Sequence, residues 1–223
     1  MLKVLDYDAF ERFEGVTDKD GFLELVGNDP ALAPFFLDNP KYVTARIGGN
    51  LITSLHRKLG DMYEEIFKTL LASELKIPSS DLTYRVTLNI DGKPQQRSTD
   101  GLIRYSRLSP KVANKVRVMQ TENSSGMAFE VRSCYQIGDS KRIQADRDMA
   151  LALRMLKIEP VMIIFCASSL TSPVKRLREY WRVYEGVDAF EFVKNLTGFD
   201  LFRFLQQKSG MIKEIMDRIF DTM

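Results

Sequence analysis

One short, unbroken apolar run constrains this chain most: Pro160-Val161-Met162-Ile163-Ile164-Phe165-Cys166. It is too short for a buried helix and has no polar face. It therefore reads as a strand covered on both sides, the kind found in parallel pairs. A parallel partner needs a crossover, and the preceding residues supply one. Met127–Tyr135 has a strand pattern, Gly138-Asp139-Ser140 looks like a helix entry, and Lys141–Leu156 is a helix rich in Ala, Leu, Met and Arg. Strand, helix and buried strand make a βαβ unit, which points to the α/β class with a mixed sheet.

The rest of the 223 residues is arranged around that unit as one domain. Residues 1–80 read as helical. Asp8–Phe13 is short and amphipathic. Thr17-Asp18-Lys19-Asp20 is an acidic start signal for the helix beginning Gly21-Phe22-Leu23. From Tyr42 to Leu75 apolar residues recur at helical spacing, among them Leu51, Leu55, Leu59, Met62, Ile66 and Leu70, with Gly48-Gly49 as a place to break or bend. Residues 81–166 form the sheet. Leu82–Ile90 alternates as a strand does, Asp91-Gly92 signals a turn, and a second extended segment passes through Asp100-Gly101 into Leu102–Tyr105. A further strand is expected near Lys115–Gln120, followed by a turn at Glu122–Gly126. The tail from Ser172 reads as helical pieces broken near Gly186, Gly198 and Gly210.

Composition narrows the function classes. A net charge of +2 argues against a generic polyanion binder, but an enzyme that sets an acidic site beside basic contacts can balance to that sum. The single histidine, His56, excludes a histidine-rich metal centre, and no Cys/His spacing suggests zinc. Cys134 and Cys166 fall in apolar strand patterns and are expected to be buried free thiols in a reducing compartment. The first residues do not read as a signal peptide, and no apolar run approaches the roughly 18 residues of a membrane span. A soluble, cytoplasmic protein is expected.

Two segments carry candidate chemistry: Ser98-Thr99-Asp100-Gly101-Leu102-Ile103, and Ala128-Phe129-Glu130-Val131-Arg132-Ser133-Cys134. Each puts an acid at the edge of, or inside, an apolar strand pattern. Glu130 and Arg132 are two apart, so both point to the same face of a strand. Charged groups there are costly unless they meet a charged partner. Two acids and a cation on one platform are what a divalent ion and a phosphodiester require. The competing readings are an Asp-Gly turn dipeptide and a same-face pair on an exposed sheet.

Together these segments resemble the PD-(D/E)xK nuclease core, the fold of most type II restriction endonucleases. The similarity spans roughly Gly60 to Cys166. It implies a restriction-endonuclease-like α/β/α core with N- and C-terminal helical additions. Asp100 would be the central Mg²⁺ ligand and Glu130 the second, with Glu64 on the preceding helix as a further acid and Glu65 in reserve. The family's lysine position is taken here by Arg132, which stays charged and cannot act as a base. Arg132 would instead hold the phosphate, with Lys141 as a substitute cation. Asp139-Ser140-Lys141 is the rival D-x-K assignment.

The resemblance further implies Mg²⁺-dependent cleavage of double-stranded DNA at a specific sequence, leaving 5′-phosphate ends, by a homodimer on a palindromic site. Lys141, Arg142, Gln144, Arg46 and Ser133 are the candidates for DNA contact. Two alternatives stay open. One is a repair or recombination nuclease of the same fold that acts on DNA structure. The other is a non-catalytic DNA-binding protein in which Arg132 marks a lost active site.

Overall fold

The computed structural model describes residues 10, 13–90, 93–135 and 140–220. Along these residues run helices α1 (Lys19–Gly27) and α2 (Pro40–Leu75), strands β1 (Arg85–Ile90), β2 (Lys93–Ser98) and β3 (Gly101–Arg104), and helix α3 (Pro110–Arg117). Strand β4 (Gly126–Arg132), helix α4 (Ser140–Met155), strand β5 (Ile158–Ile164), helix α5 (Thr171–Leu177) and strand β6 (Arg182–Glu185) follow. Helices α6 (Val187–Thr197), α7 (Leu201–Gln207) and α8 (Ser209–Phe220) complete the order. No helix among the described residues is long and apolar enough to cross a membrane.

The chain divides into two compact units, residues 60–206 and residues 1–59 with 207–223. The larger unit is a mixed α/β fold. Its four-stranded sheet has the order β3-β4-β5-β6. β3 is antiparallel to β4, whereas β4, β5 and β6 run parallel. β1 and β2 form a separate antiparallel hairpin, whose expected turn at Asp91-Gly92 lies outside the described residues.

Side chains alternate across the sheet, so each face builds its own core. On one face Met127, Phe129 and Val131 of β4, with Val161 and Ile163 of β5, pack against Phe67 and Leu71 of α2 and Phe192 and Leu196 of α6. The rings of Phe67 and Phe129 meet edge to face at 5.0 Å, which fixes α2 to β4. On the other face Ala128, Met162 and Ile164 pack against Met149, Ala150 and Leu153 of α4, with Leu177 and Trp181 beyond them. Every residue of β5 is buried, the apolar run from Pro160 onward together with Ile158 and Glu159. Each of its large apolar side chains, from Val161 to Ile164, contributes about 1.5–3 kcal/mol of burial free energy, so the sheet's centre outweighs its edges.

Two close contacts set the strand spacing. A Cβ at Gly126 would lie 2.1 Å from the Ile103 carbonyl oxygen, so β3 can approach β4 there only because residue 126 has no side chain. At the N-terminal end of β5, the buried Glu159 carboxylate accepts from the Thr121 amide and hydroxyl and pairs with Arg182 at 3.2 Å. This ties the segment before β4 to both parallel neighbours.

The smaller unit is helical. Asp18 caps α1 by accepting from the Gly21 amide at 2.8 Å, as its place before the helix predicts. Phe22 and Val26 of α1 pack on Val43 and Ile47 of α2, and Ile215 and Ile219 of α8 pack on Leu51. The expected Asp8–Phe13 helix falls largely outside the described residues.

Several expectations are corrected. The strand expected near Lys115–Gln120 is instead helix α3, because Pro110 is suited to a first turn and Ala113 and Val116 bury at helical spacing. The tail is not all helix: Arg182-Val183-Tyr184-Glu185 adds β6 in parallel to β5. Gly186 and Gly198 do bound α6, both with positive φ, but Gly210 lies inside α8 and α2 continues through Gly48-Gly49. Cys134 and Cys166 are not free thiols. They form a disulfide, since the β4–β5 register that pairs Arg132 with Ile164 brings the next same-face positions side by side. The free-thiol ground for expecting a reducing compartment is thereby removed.

Candidate functional site

Asp100 is positioned by the backbone on both sides. Its own amide donates to the Phe129 carbonyl at 2.9 Å, continuing the β3–β4 ladder by one residue. Before it, Thr99 is buried, and its amide and hydroxyl lock onto the Tyr84 backbone. After it, Gly101 leaves room for Phe67, Leu71 and Phe129, all within 3.2 Å of where a Cβ would stand. The Asp100 carboxylate is thus held over β4, where Oδ2 accepts the Val131 amide at 2.9 Å.

Glu130 and Arg132 share a face of β4, as their spacing predicts, and they touch. The guanidinium does more than pair with its neighbour. Nη1 lies 3.3 Å from Asp100 Oδ2 and donates to the Val131 carbonyl at 2.9 Å. Nη2 contacts Glu130 and lies 3.8 Å from Asp146 Oδ1. Three carboxylates, from the start of β3, the end of β4 and the body of α4, therefore converge on one cation. Exposure is low throughout: 13% for the Asp100 side chain, 10% for Glu130, 7% for Asp146 and 19% for Arg132.

Burial raises the Asp100 carboxyl from its ordinary range to about 6. Arg132 and the Val131 amide oppose that rise, Glu64 adds to it and Lys68 opposes it. Burial also works against the charge of Arg132, but Asp146 and Asp100 outweigh it and its pKa is raised. Arg132 is therefore cationic at any accessible pH and cannot serve as a proton acceptor.

The expected residues divide as follows. Asp100, Glu130 and Arg132 are brought together. Glu64 lies on α2 close enough to act on Asp100 electrostatically, and is itself paired with Lys68. Lys141, Arg142 and Gln144 are exposed near the start of α4, the helix that carries Asp146. The Arg142 guanidinium sits over the Tyr135 ring at 5.9 Å. Ser133 is buried rather than presented to solvent. Arg46 belongs to the other unit, and the rival acid Asp139 lies outside the described residues.

Sequence reasoning missed Asp146 and Tyr135. Tyr135 donates its hydroxyl hydrogen to Asp146, whose backbone carbonyl accepts from the Trp181 indole at 2.8 Å. The signal for Asp146 was available. It occupies the same helical stripe as Met149, Ala150 and Leu153, and an acid at a core position demands a buried partner.

Among the described residues no three His, Cys, Asp or Glu side chains are grouped so as to hold a metal ion by themselves. The chemistry of the donors suits a hard divalent ion nonetheless. Asp100 and Glu130 offer only oxygens, and Mg²⁺ is usually held by one or two carboxylates, with water and phosphate oxygens completing its shell. No protein-family model matches the chain, and no curated protein or solved structure is significantly similar to it.

Proposed function

We propose that this chain is a nuclease of the restriction-endonuclease-like kind, hydrolysing phosphodiester bonds of double-stranded DNA with Mg²⁺. One observation carries the reading: Asp100, just before β3, meets Glu130 and Arg132 at the C-terminal end of β4. The order of elements supports it. A helix carrying Glu64 precedes β3, an antiparallel β3–β4 pair carries the acids, and a helical crossover leads to a parallel buried strand.

In this reading Asp100 and Glu130 hold the ion, with Glu64 beside them. When bound, Mg²⁺ supplies Lewis acidity toward the phosphate and a more acidic water. The chain's own residues do the rest. Arg132, permanently charged, binds a phosphate oxygen and stabilises the charge that grows on it during attack. Lys141, Arg142 and Gln144 meet the DNA beside the site, the first two on phosphates and the amide on a base edge. A homodimer on a palindromic sequence and 5′-phosphate ends belong to the same proposal. A second reading is a DNA-binding protein without catalysis. It is favoured by the engagement of Arg132 with three carboxylates, which leaves it occupied rather than offered to a phosphate.

The test is incubation of the full chain with duplex DNA in Mg²⁺ or in EDTA, followed by sequencing of fragment ends. Discrete fragments sharing one end sequence, seen only with Mg²⁺ and lost in D100N and E130Q, support the nuclease. Tight binding with no cleavage under any divalent metal supports the second reading and sinks the first.

A further inference from the structure

The way Arg132 engages its acids differs from other arginines of this protein. Arg147 grips Asp148 side-on through Nε at 3.0 Å and Nη2 at 2.8 Å, and Arg154 grips Glu122 in the same way at 3.2 Å and 2.8 Å. In each of these pairs both nitrogens meet one oxygen of a single carboxylate. Arg132 does not settle on one acid. Its two terminal nitrogens are spread over Asp100, Glu130, Asp146 and the Val131 carbonyl, while its buried Nε has no partner among the described residues. A group that faces several oxygens at once, in place of clasping one carboxylate, occupies its site as an ion would. The balance of charge is incomplete as well. Three carboxylates face one guanidinium, and the nearby Glu64 is paired with Lys68.

We propose that Arg132 is a displaceable internal counter-cation, occupying the place between Asp100 and Glu130 that a divalent ion takes, so that ion binding and the Arg132 contacts exclude one another. This rests on the reading of Asp100 and Glu130 as metal ligands, and it holds whether or not DNA is cut. The divalent ion neutralises the two acids more completely than a single positive charge. The released guanidinium, still covered by Asp146 on one side, becomes available to a phosphate oxygen. Ion binding and phosphate capture are thereby coupled through one side chain.

The experiment is titration of the full chain with Mn²⁺ in the absence of DNA, following the free ion by electron paramagnetic resonance. R132M is expected to bind Mn²⁺ about tenfold or more tighter than the unaltered protein, because removing one partner of a buried pair leaves charge for another cation to satisfy. Adding D100N to R132M is expected to abolish that gain. R132K guards against misfolding of R132M: one ammonium cannot reach three acids, so it too binds Mn²⁺ more tightly than the unaltered protein. Thermal unfolding provides a second readout, since Mn²⁺ should raise the melting temperature of either variant more than that of the parent. Equal or weaker Mn²⁺ binding by the folded variants overturns the inference. If the parent cuts DNA while the variants bind no tighter, the inference alone fails. If the variants bind tighter and nothing cuts, the nuclease reading fails and the inference stands.

Discussion

The Tyr135 hydroxyl donates to the buried Asp146 carboxylate, joining the segment after β4 to the middle of α4. Burial and the negative charge of Asp146 raise the pKa of Tyr135, so the hydroxyl keeps its proton and remains a donor through the physiological range. Replacing Tyr135 with Phe preserves the ring but leaves Asp146 short of a partner it cannot replace with water, being 5% exposed. Y135F is expected to destabilise the protein by about 1–3 kcal/mol, the cost of an unsatisfied buried acceptor. Urea unfolding followed by Trp181 fluorescence checks this, because the Trp181 indole donates to the same Asp146 residue. No change in midpoint would mean that the hydroxyl contributes nothing.

Asp100 gives the stability of the ion-free protein a particular pH dependence. Its carboxyl titrates at about 6 in the folded chain against an ordinary value of 3.8. Between those values the folded state holds the proton more tightly than the unfolded state does. Raising the pH through this window therefore costs the folded state stability, and the cost is complete above about 6. In EDTA, the parent is expected to lose stability relative to D100N as pH rises from 4 to 7. Melting temperatures of the two proteins across that range decide the matter. A constant difference would show that Asp100 titrates normally.

The disulfide between Cys134 and Cys166 closes a loop with a sequence separation of 32. Constraint of the unfolded chain by a loop of that size is worth about 3–4 kcal/mol. Both sulfurs lie near the Ser169 hydroxyl, which also accepts from the Tyr135 amide at 3.1 Å. Reduction, or C134A with C166A, is expected to lower the melting temperature while leaving the secondary structure intact by circular dichroism. Thiol titration that finds two free groups in the native, unreduced protein would remove the bond from consideration.

How much of this was legible in the sequence depends on the reach of each signal. The helical run of α2, the alternation around Glu130 and the buried strand β5 follow from local periodicity, which reports only on neighbours along the chain. The meeting of Glu130 and Arg132 is a local matter of the same kind. The meeting of Asp100 with them required β3 to pair beside β4 in one register, and the order of segments anticipated it. The fourfold engagement of Asp100, Glu130, Asp146 and Arg132 was not foreseen, because α4 had to be docked before Asp146 had a direction. The disulfide was hidden for a related reason: two cysteines in strand patterns are adjacent only once the register is known. Helix α3 was hidden because Val116 and Val118 alternate within Lys115–Gln120 as strand residues do.

Gly126 and Asp100 stand at opposite ends of the short β3–β4 ladder, yet the freedom of one position bounds the other. With the Ile103 carbonyl 2.1 Å from any Cβ at residue 126, even alanine must push the two backbones apart. The displacement would be passed along β3, whose first residue follows Asp100. A side chain at residue 126 would therefore disturb the acidic site without altering any of its chemical groups, whereas Gly49 and Gly210, whose Cβ positions meet nothing, have room for one.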